Sequence, residues 1–188
     1  KIYQLSQLRQ VAETVSRGIH EGDYFTQLCS DFLEIFNATT CCLFWQRVRE
    51  PKAWWLDAWA RRRGVQQPSR KTIPEEEEGI FSWIKRLQKP HFLEDATDEP
   101  FLALWEKPTQ RTTAAIIPLA ADEPRMGMLV IVNPIFKLSP RAVQLQLEIL
   151  GSLIHSGVHN RLLYRGMQES EEEFRDLFEN SSDMVVVT

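Results

Sequence analysis

The stretch TTAAIIPL (112–119), followed by MGMLVIVN (126–133), decides the fold class of this chain. Both segments are short and strongly apolar, as buried β-strands are. The intervening Ala121-Asp122-Glu123-Pro124 has the composition of a hairpin turn. We therefore predict that these two strands are neighbours in a sheet.

A long amphipathic stretch, from Ser139 to about Met167, follows the strand pair. A serine cap followed by proline at the first helical position predicts a helix that begins at Ser139-Pro140. Its apolar residues form two stripes, and the first has heptad-like steps of four and three. We expect this first stripe to meet a partner helix in a homodimer; a single broad core-facing helix is the alternative. The first stripe is Val143, Leu147, Leu150, Ile154 and Val158, and the second is Leu145, Ile149 and Leu153.

The residues before the strand pair predict helices first and strands afterwards. Apolar residues at steps of three and four predict a helix from Ile2 to Ile19 and a second one closing near Asn37. Further along, we predict a hairpin of Thr39–Val48 with Ala53–Ala60, an extended piece at Lys71–Pro74, a short helix at Gly79–Leu87 and a strand at His91–Glu94. Strands in the middle and helices at the ends favour an α+β fold with an antiparallel sheet and helices packed on one face.

Five phrases in this order resemble a GAF domain, a small-molecule sensing module of bacterial signalling proteins. They are Ile73-Pro74 with Glu78–Ile84, Lys89–Asp95, Ala114–Ala120, Met126–Ile131, and Phe136–Ser139 before the last helix. The resemblance covers residues 1–165 and implies a ligand site between the sheet and a pocket-side helix with its loops. Six candidate lining residues follow from it: Phe81, Trp83, Ile84, Phe92, Phe101 and Trp105. An aromatic filling of the same space is the alternative.

Residues 168–188 resemble the start of a PAS domain. Ser170 and Glu173 fit a capping box, which predicts a new helix start, and Met184–Thr188 reads as a strand without a sheet. The chain is therefore expected to be a fragment of a longer protein, with residues 139–167 connecting its two domains.

Composition and charge exclude several classes of function. The net charge of −4 gives no reason to expect binding to nucleic acid, and no run approaches the roughly 20 apolar residues of a membrane helix. Three cysteines, with Cys41 and Cys42 adjacent, fit a reducing cytoplasm better than a disulfide scaffold. We predict a cytoplasmic protein with buried, structural cysteines.

Two further patterns are interpreted as structural. His155 and His159 lie one helical turn apart, which suits a metal, but no third ligand accompanies them in the sequence. Trp54, Trp55 and Trp59 precede Arg61-Arg62-Arg63, a mixture that can bind single-stranded nucleic acid, although a packed hairpin with a solvated basic turn is favoured. No catalytic residue, metal site or cofactor is predicted, and an unknown small-molecule ligand stays open.

The resemblance to a GAF domain followed by a PAS domain implies a sensory module, and the absence of a catalytic arrangement in the sequence argues against an enzyme. A ligand or partner would shift its conformation, and the last helix would pass the shift to a PAS domain and an output domain, in a histidine kinase or a cyclic-dinucleotide signalling protein. A ligand-free dimerising spacer is the second hypothesis, and a small-molecule redox enzyme of the same fold is the third.

Overall fold

A computed structural model describes residues 2–17, 24–46, 53–62, 68–105, 110–120, 126–136 and 140–182. Its helices are α1 (Ile2–Arg17), α2 (Tyr24–Ile35), α3 (Ile80–Leu87) and α4 (Pro140–Ser182). Its strands are β1 (Thr40–Gln46), β2 (Ala53–Arg61), β3 (Thr72–Pro74), β4 (His91–Leu93), β5 (Ala114–Ala120) and β6 (Met126–Val132). Two single 3₁₀ turns lie at Glu75–Glu77 and Leu102–Leu104. The predicted turn at 121–124 and the predicted strand at 184–188 lie outside the described residues.

The six strands form one antiparallel sheet in the order β3-β2-β1-β6-β5-β4. The predicted strand pair is confirmed, since β5 and β6 pair in register from Ala114 opposite Val132 to Ala120 opposite Met126. Because side chains alternate along a strand, one strand can contribute to the core on each face of the sheet. In β1, for example, Leu43 packs on one face of the sheet and Phe44 on the other.

Helices α1, α2 and α4 cover one face of the sheet, and α3 with the 3₁₀ turn at Leu102–Leu104 covers the other. The α+β architecture predicted from the sequence is therefore confirmed. Asn37 ends α2 in the left-handed conformation, with φ of 47°, and its N–H donates to Glu34 O at 3.1 Å. Asn tolerates this conformation better than most residues, which explains why the helix ends at the predicted place.

α4 continues far beyond its predicted end. It runs without a break from Pro140 to Ser182. The capping-box interpretation of Ser170 and Glu173 is wrong, because both residues lie inside this helix and neither begins a new one. From 166 to 179 every described side chain is exposed, so the distal half of α4 extends away from the sheet.

Candidate functional site

The candidate site is an aromatic cluster between α3 and the sheet, formed by Phe44, Trp54, Phe81 and Phe101. Phe81 lies at its centre. Its ring stacks parallel on Phe101, with centroids 5.5 Å apart and planes 7° apart. Phe44 and Trp54 meet the same ring edge-on at 5.4 and 5.2 Å. All four side chains have at most 1% of their surface exposed, so the rings fill the space beneath α3.

Two acidic residues fix the start of α3 over this cluster. Gly79, with φ of +53°, turns the chain into the helix, and the Ile80 N–H donates to Glu99 Oε2 at 3.1 Å. The carboxylate therefore satisfies one of the donors that a helix start leaves unpaired. Glu78 accepts a 2.7 Å hydrogen bond from Trp54 Nε1. Glu78, the last residue of the acidic run at 75–78, thus has a structural role.

Four of the six predicted lining residues come together at this site, and two do not. Phe81, Ile84, Phe101 and Trp105 belong to one buried cluster. Trp83 lies 200° around α3 from Phe81, at about 100° per residue, and is 38% exposed against the ring of His91. Phe92 points to the opposite face of the sheet, where it packs on Phe136. The structure therefore brings together four of the six predicted lining residues. That these four line a ligand pocket stays a prediction.

Trp105 forms a polar edge of the cluster. Its indole Nε1–H is buried and has no hydrogen-bond partner within the described part of the chain. The Arg61 guanidinium lies 5.4 Å from the centre of the Trp105 ring, and its Nε donates to Thr40 Oγ1 at 2.9 Å. A buried donor beside a cation suits an acceptor oxygen of a ligand. In the sequence Arg61 belongs to a basic turn, and its contact with Trp105 is not predictable from that pattern, because it depends on the pairing of Thr40 with Arg61 across β1 and β2.

The three cysteines are buried thiols, as predicted. Cys29 and Cys41 lie in the core beneath α2, and Cys42 lies on the opposite face of the sheet, where its Sγ donates to Val130 O at 3.8 Å. Burial raises the pKa of Cys41 and of Cys42 well above the usual value, and the neighbouring Cys29 thiol raises that of Cys41 further. These two groups therefore stay protonated and weakly nucleophilic near neutral pH.

We expect the cysteines to resist alkylation in the folded protein. At pH 8, iodoacetamide should modify Cys41 and Cys42 at least about 100-fold more slowly than in 6 M guanidinium, because each needs local opening and deprotonation. Mass spectrometry of the intact chain and its peptides measures both rates. Rapid modification of either residue in the folded state would show that its thiol is accessible.

His155 and His159 stack with parallel rings, 6.1 Å apart and 4° from parallel. No group of three or more potential metal ligands occurs among the described residues. His155 also lines an open groove of about 490 Å³ between α4 and the turn at Gln88–Pro90. Both histidines are half-buried on α4.

Comparison with solved structures gives a consistent result over most of the chain. A phycocyanobilin-bound GAF domain from a cyanobacterial phytochrome is similar with a TM-score of 0.60 at 9% identity, over 85% of this chain and 96% of that one. A GAF domain of a phosphoenolpyruvate-protein phosphotransferase from Coxiella burnetii has a TM-score of 0.58 at 16% identity, over 91% and 98%. The described domain has the GAF fold.

An enzyme is also among the similar structures. Free methionine-R-sulfoxide reductase from Neisseria meningitidis, solved with its substrate, has a TM-score of 0.59 at 14% identity, over 83% of this chain and 90% of that one. No protein-family profile matches the sequence, and no curated protein matches it either. At these identities the likeness shows the GAF fold alone.

The first stripe of α4 does not face a partner. Its five side chains are at most 3% exposed and pack within this chain's own core, against the sheet, α1 and α2. The assignment of these residues to a dimer contact is therefore wrong: in the GAF fold they close the domain. The second stripe is the outward one, since Leu145 and Ile149 are 61% and 44% exposed. The five buried residues of the first stripe are Val143, Leu147, Leu150, Ile154 and Val158.

A close helix crossing fixes α4 against α1. A Cβ atom at Gly157 would lie 1.6 Å from Val15 Cγ1, so only glycine allows this approach. Deeper in the same interface Gln146 Nε2 donates to Gln7 Oε1 at 3.1 Å. Gln7 Nε2 in turn donates to Ile35 O at 3.2 Å, which joins α1, α2 and α4 through hydrogen bonds.

Within the described residues, no helix combines the length and apolar character needed to cross a bilayer.

Proposed function

We propose that this GAF-fold domain is a sensory module of a signalling protein, and that it works as a homodimer through its helices. The observation that carries the proposal is the double role of α4. Its first half supplies core residues such as Leu147 and Ile154, while its second half extends from the domain as one continuous helix. A shift in the core therefore moves the distal helix as well.

The edge of the aromatic cluster at Trp105 is the proposed ligand site. Phe81 and its neighbours already occupy the space beneath α3, so the ligand is expected to bind beside them and not in their place. The buried indole N–H and the Arg61 guanidinium favour a ligand with an acceptor oxygen or a negative charge next to an apolar part. Binding would favour one of two arrangements of α4 by its differential affinity for them.

The output of the relay stays a prediction. The resemblance of residues 168–188 to a PAS domain and the expected histidine kinase or cyclic-dinucleotide enzyme rest on the sequence alone. Within this proposal the described chain is not itself the catalyst, and the raised pKa values of Cys41 and Cys42 speak against a thiol-based redox enzyme.

A ligand-free spacer is the second candidate function. It is favoured by the packing of the aromatic cluster, whose four rings leave at most 1% of any side chain exposed. In this case the domain would hold two chains together and set the direction of α4 without binding a metabolite. The two candidates differ in one measurable property, which is stabilisation by a ligand.

A thermal-unfolding screen against anionic and carbonyl-containing metabolites tests the sensory proposal. We expect at least one compound to raise the unfolding temperature, and the increase should grow with the logarithm of its concentration above the dissociation constant. Trp105→Phe keeps an aromatic side chain, although a smaller one, and removes the N–H, and it should weaken binding of that compound by about 5- to 100-fold. Trp83→Phe, on the outer side of α3, is the control and should not change binding. If no compound stabilises the protein, the spacer function is supported instead.

A further inference from the structure

The groove of about 490 Å³ between α4 and the turn at Gln88–Pro90 is a second place where a small molecule can bind. Its volume is in the range of small-molecule sites. α4 packs on the face of the sheet opposite to Trp105 and its aromatic neighbours. A ligand in this groove would therefore be separate from one bound at Trp105.

The shortness of β4 explains why the edge of the sheet is open at this point. β4 pairs with β5 only from Ala114 to Ile116. Within the described residues no other strand lies beside β5 on this side. Pro118, which lines the groove further along β5, has no N–H to offer an extended peptide. These features favour a small ligand over an added strand.

Gly151 brings α4 close to the turn. A Cβ atom at this position would lie 2.6 Å from Pro90 Cγ, nearer than two non-bonded carbon atoms approach each other. Beside this contact Gln144 Nε2 donates to Pro90 O at 2.8 Å. The turn is therefore fixed to α4. Together with Pro118, Gly151 and Pro90 form the apolar part of the groove lining.

Hydrogen-bond acceptors line the α4 side of the groove. Ser152 Oγ donates to Glu148 O at 3.1 Å, and Ser156 Oγ donates to Ser152 O at 3.0 Å. Both hydroxyl protons are thus used, and the oxygen lone pairs can accept. The exposed Glu148 carboxylate receives one long hydrogen bond of 3.4 Å, from Gln144 Nε2, and keeps further acceptor capacity. A carboxylate beside two hydroxyl oxygens suits an ammonium group, which has three donors.

The turn side of the groove carries a positive charge. The Lys89 side chain is exposed there. Among the described residues, Lys89 and Glu148 form no ion pair with each other, although both line the groove. His155 also lines it, and its imidazole can donate or accept. The groove therefore presents an unneutralised charge of each sign on its two sides.

From this arrangement we propose that the groove binds a zwitterionic ligand, a free amino acid or a short peptide. The ligand ammonium group contacts Glu148, its carboxylate contacts Lys89, and its side chain lies against Pro90 and Pro118. A ligand with charge of one sign only would meet a like charge on one side of the groove, so a zwitterion matches it best. Such a ligand joins α4 to the turn before β4 and stabilises their contact.

A titration followed by NMR of the His155 ring tests this site directly. The probes are the standard L-amino acids and the dipeptide glycyl-L-leucine, whose charges lie further apart. We expect saturable shifts with a dissociation constant on the order of 1 mM for at least one probe. The better of the two classes identifies the ligand as an amino acid or a peptide. No shift with any probe up to about 20 mM would overturn the proposal.

Charge-deleted forms of the bound probe test the role of each ligand charge. The N-acetyl derivative lacks the ammonium group, and the methyl ester lacks the carboxylate. Each should bind at least about 10-fold more weakly than the parent probe. Unchanged binding of either derivative would show that the groove does not recognise a zwitterion.

Matched variants test the two protein charges. Lys89→Gln and Glu148→Gln should each weaken binding by about 3- to 10-fold. Arg86→Gln and Glu172→Gln remove exposed charges that do not line the groove, and they should change binding by less than about 2-fold. Because all four side chains are exposed, the domain should stay folded. Equal losses in the controls, or no loss in the two groove variants, would contradict the assignment.

This inference and the proposed site at Trp105 can fail separately. Trp105→Phe should leave amino-acid or peptide binding in the groove unchanged, since the two sites lie on opposite faces of the sheet. A metabolite that binds at Trp105 should likewise be unaffected by Lys89→Gln. Loss of the zwitterion in Trp105→Phe, with no loss in Lys89→Gln, would place it at the aromatic cluster and overturn the groove as its site.

Discussion

Replacing Phe81 by alanine should lower the free energy of unfolding by about 3–5 kcal/mol. Phe81 is fully buried and contacts three other rings, so its removal costs both transfer energy and the cavity left behind. The gap would be lined by Phe44, Trp54 and Phe101, and it would stay apolar and dry. We therefore also expect benzene to raise the unfolding temperature of Phe81→Ala and not that of the parent chain.

Trp83→Ala is the control for this experiment. Trp83 lies two residues further along α3, is 38% exposed and meets the ring of His91 edge-on. Its loss should cost less than about 1.5 kcal/mol and should open no benzene site. Urea unfolding of both variants measures the difference. Similar losses for the two residues would mean that α3 does not present Phe81 to the sheet.

The elements and their order could be predicted from sequence because their patterns are local. The apolar runs of β5 and β6, the proline that begins α4 at Pro140 and the left-handed Asn37 each specify structure within a few residues. The predicted cap at Ser139 lies outside the described residues. The continuation of α4 through Ser170 could not be predicted in this way. A serine followed by glutamate at the third position can begin a helix, but in a sequence of strong helix formers it can also lie inside one.

The candidate site was predictable only in part, because it depends on which face each side chain takes. Helical periodicity separates Phe81 from Trp83 without any tertiary information, and strand alternation separates Phe92 from its neighbours. The Arg61–Trp105 contact joins residues 44 positions apart, which only the tertiary structure brings together. Likewise, both stripes of α4 have helical spacing, and only the packing of α1, α2 and the sheet identifies the core-facing one.

The central claim is that α4 packs on the domain core with one side and on a second copy with the other. The most direct test of this claim compares alanine substitutions at the neighbouring residues Leu150 and Ile149. Urea unfolding at concentrations where the chain is monomeric should show a loss of about 2–5 kcal/mol for Leu150→Ala and less than about 0.5 kcal/mol for Ile149→Ala. At high concentration Ile149→Ala alone should raise the dimer dissociation constant. Equal losses in the monomer, or weaker dimerisation only in Leu150→Ala, would contradict the two-sided role of α4.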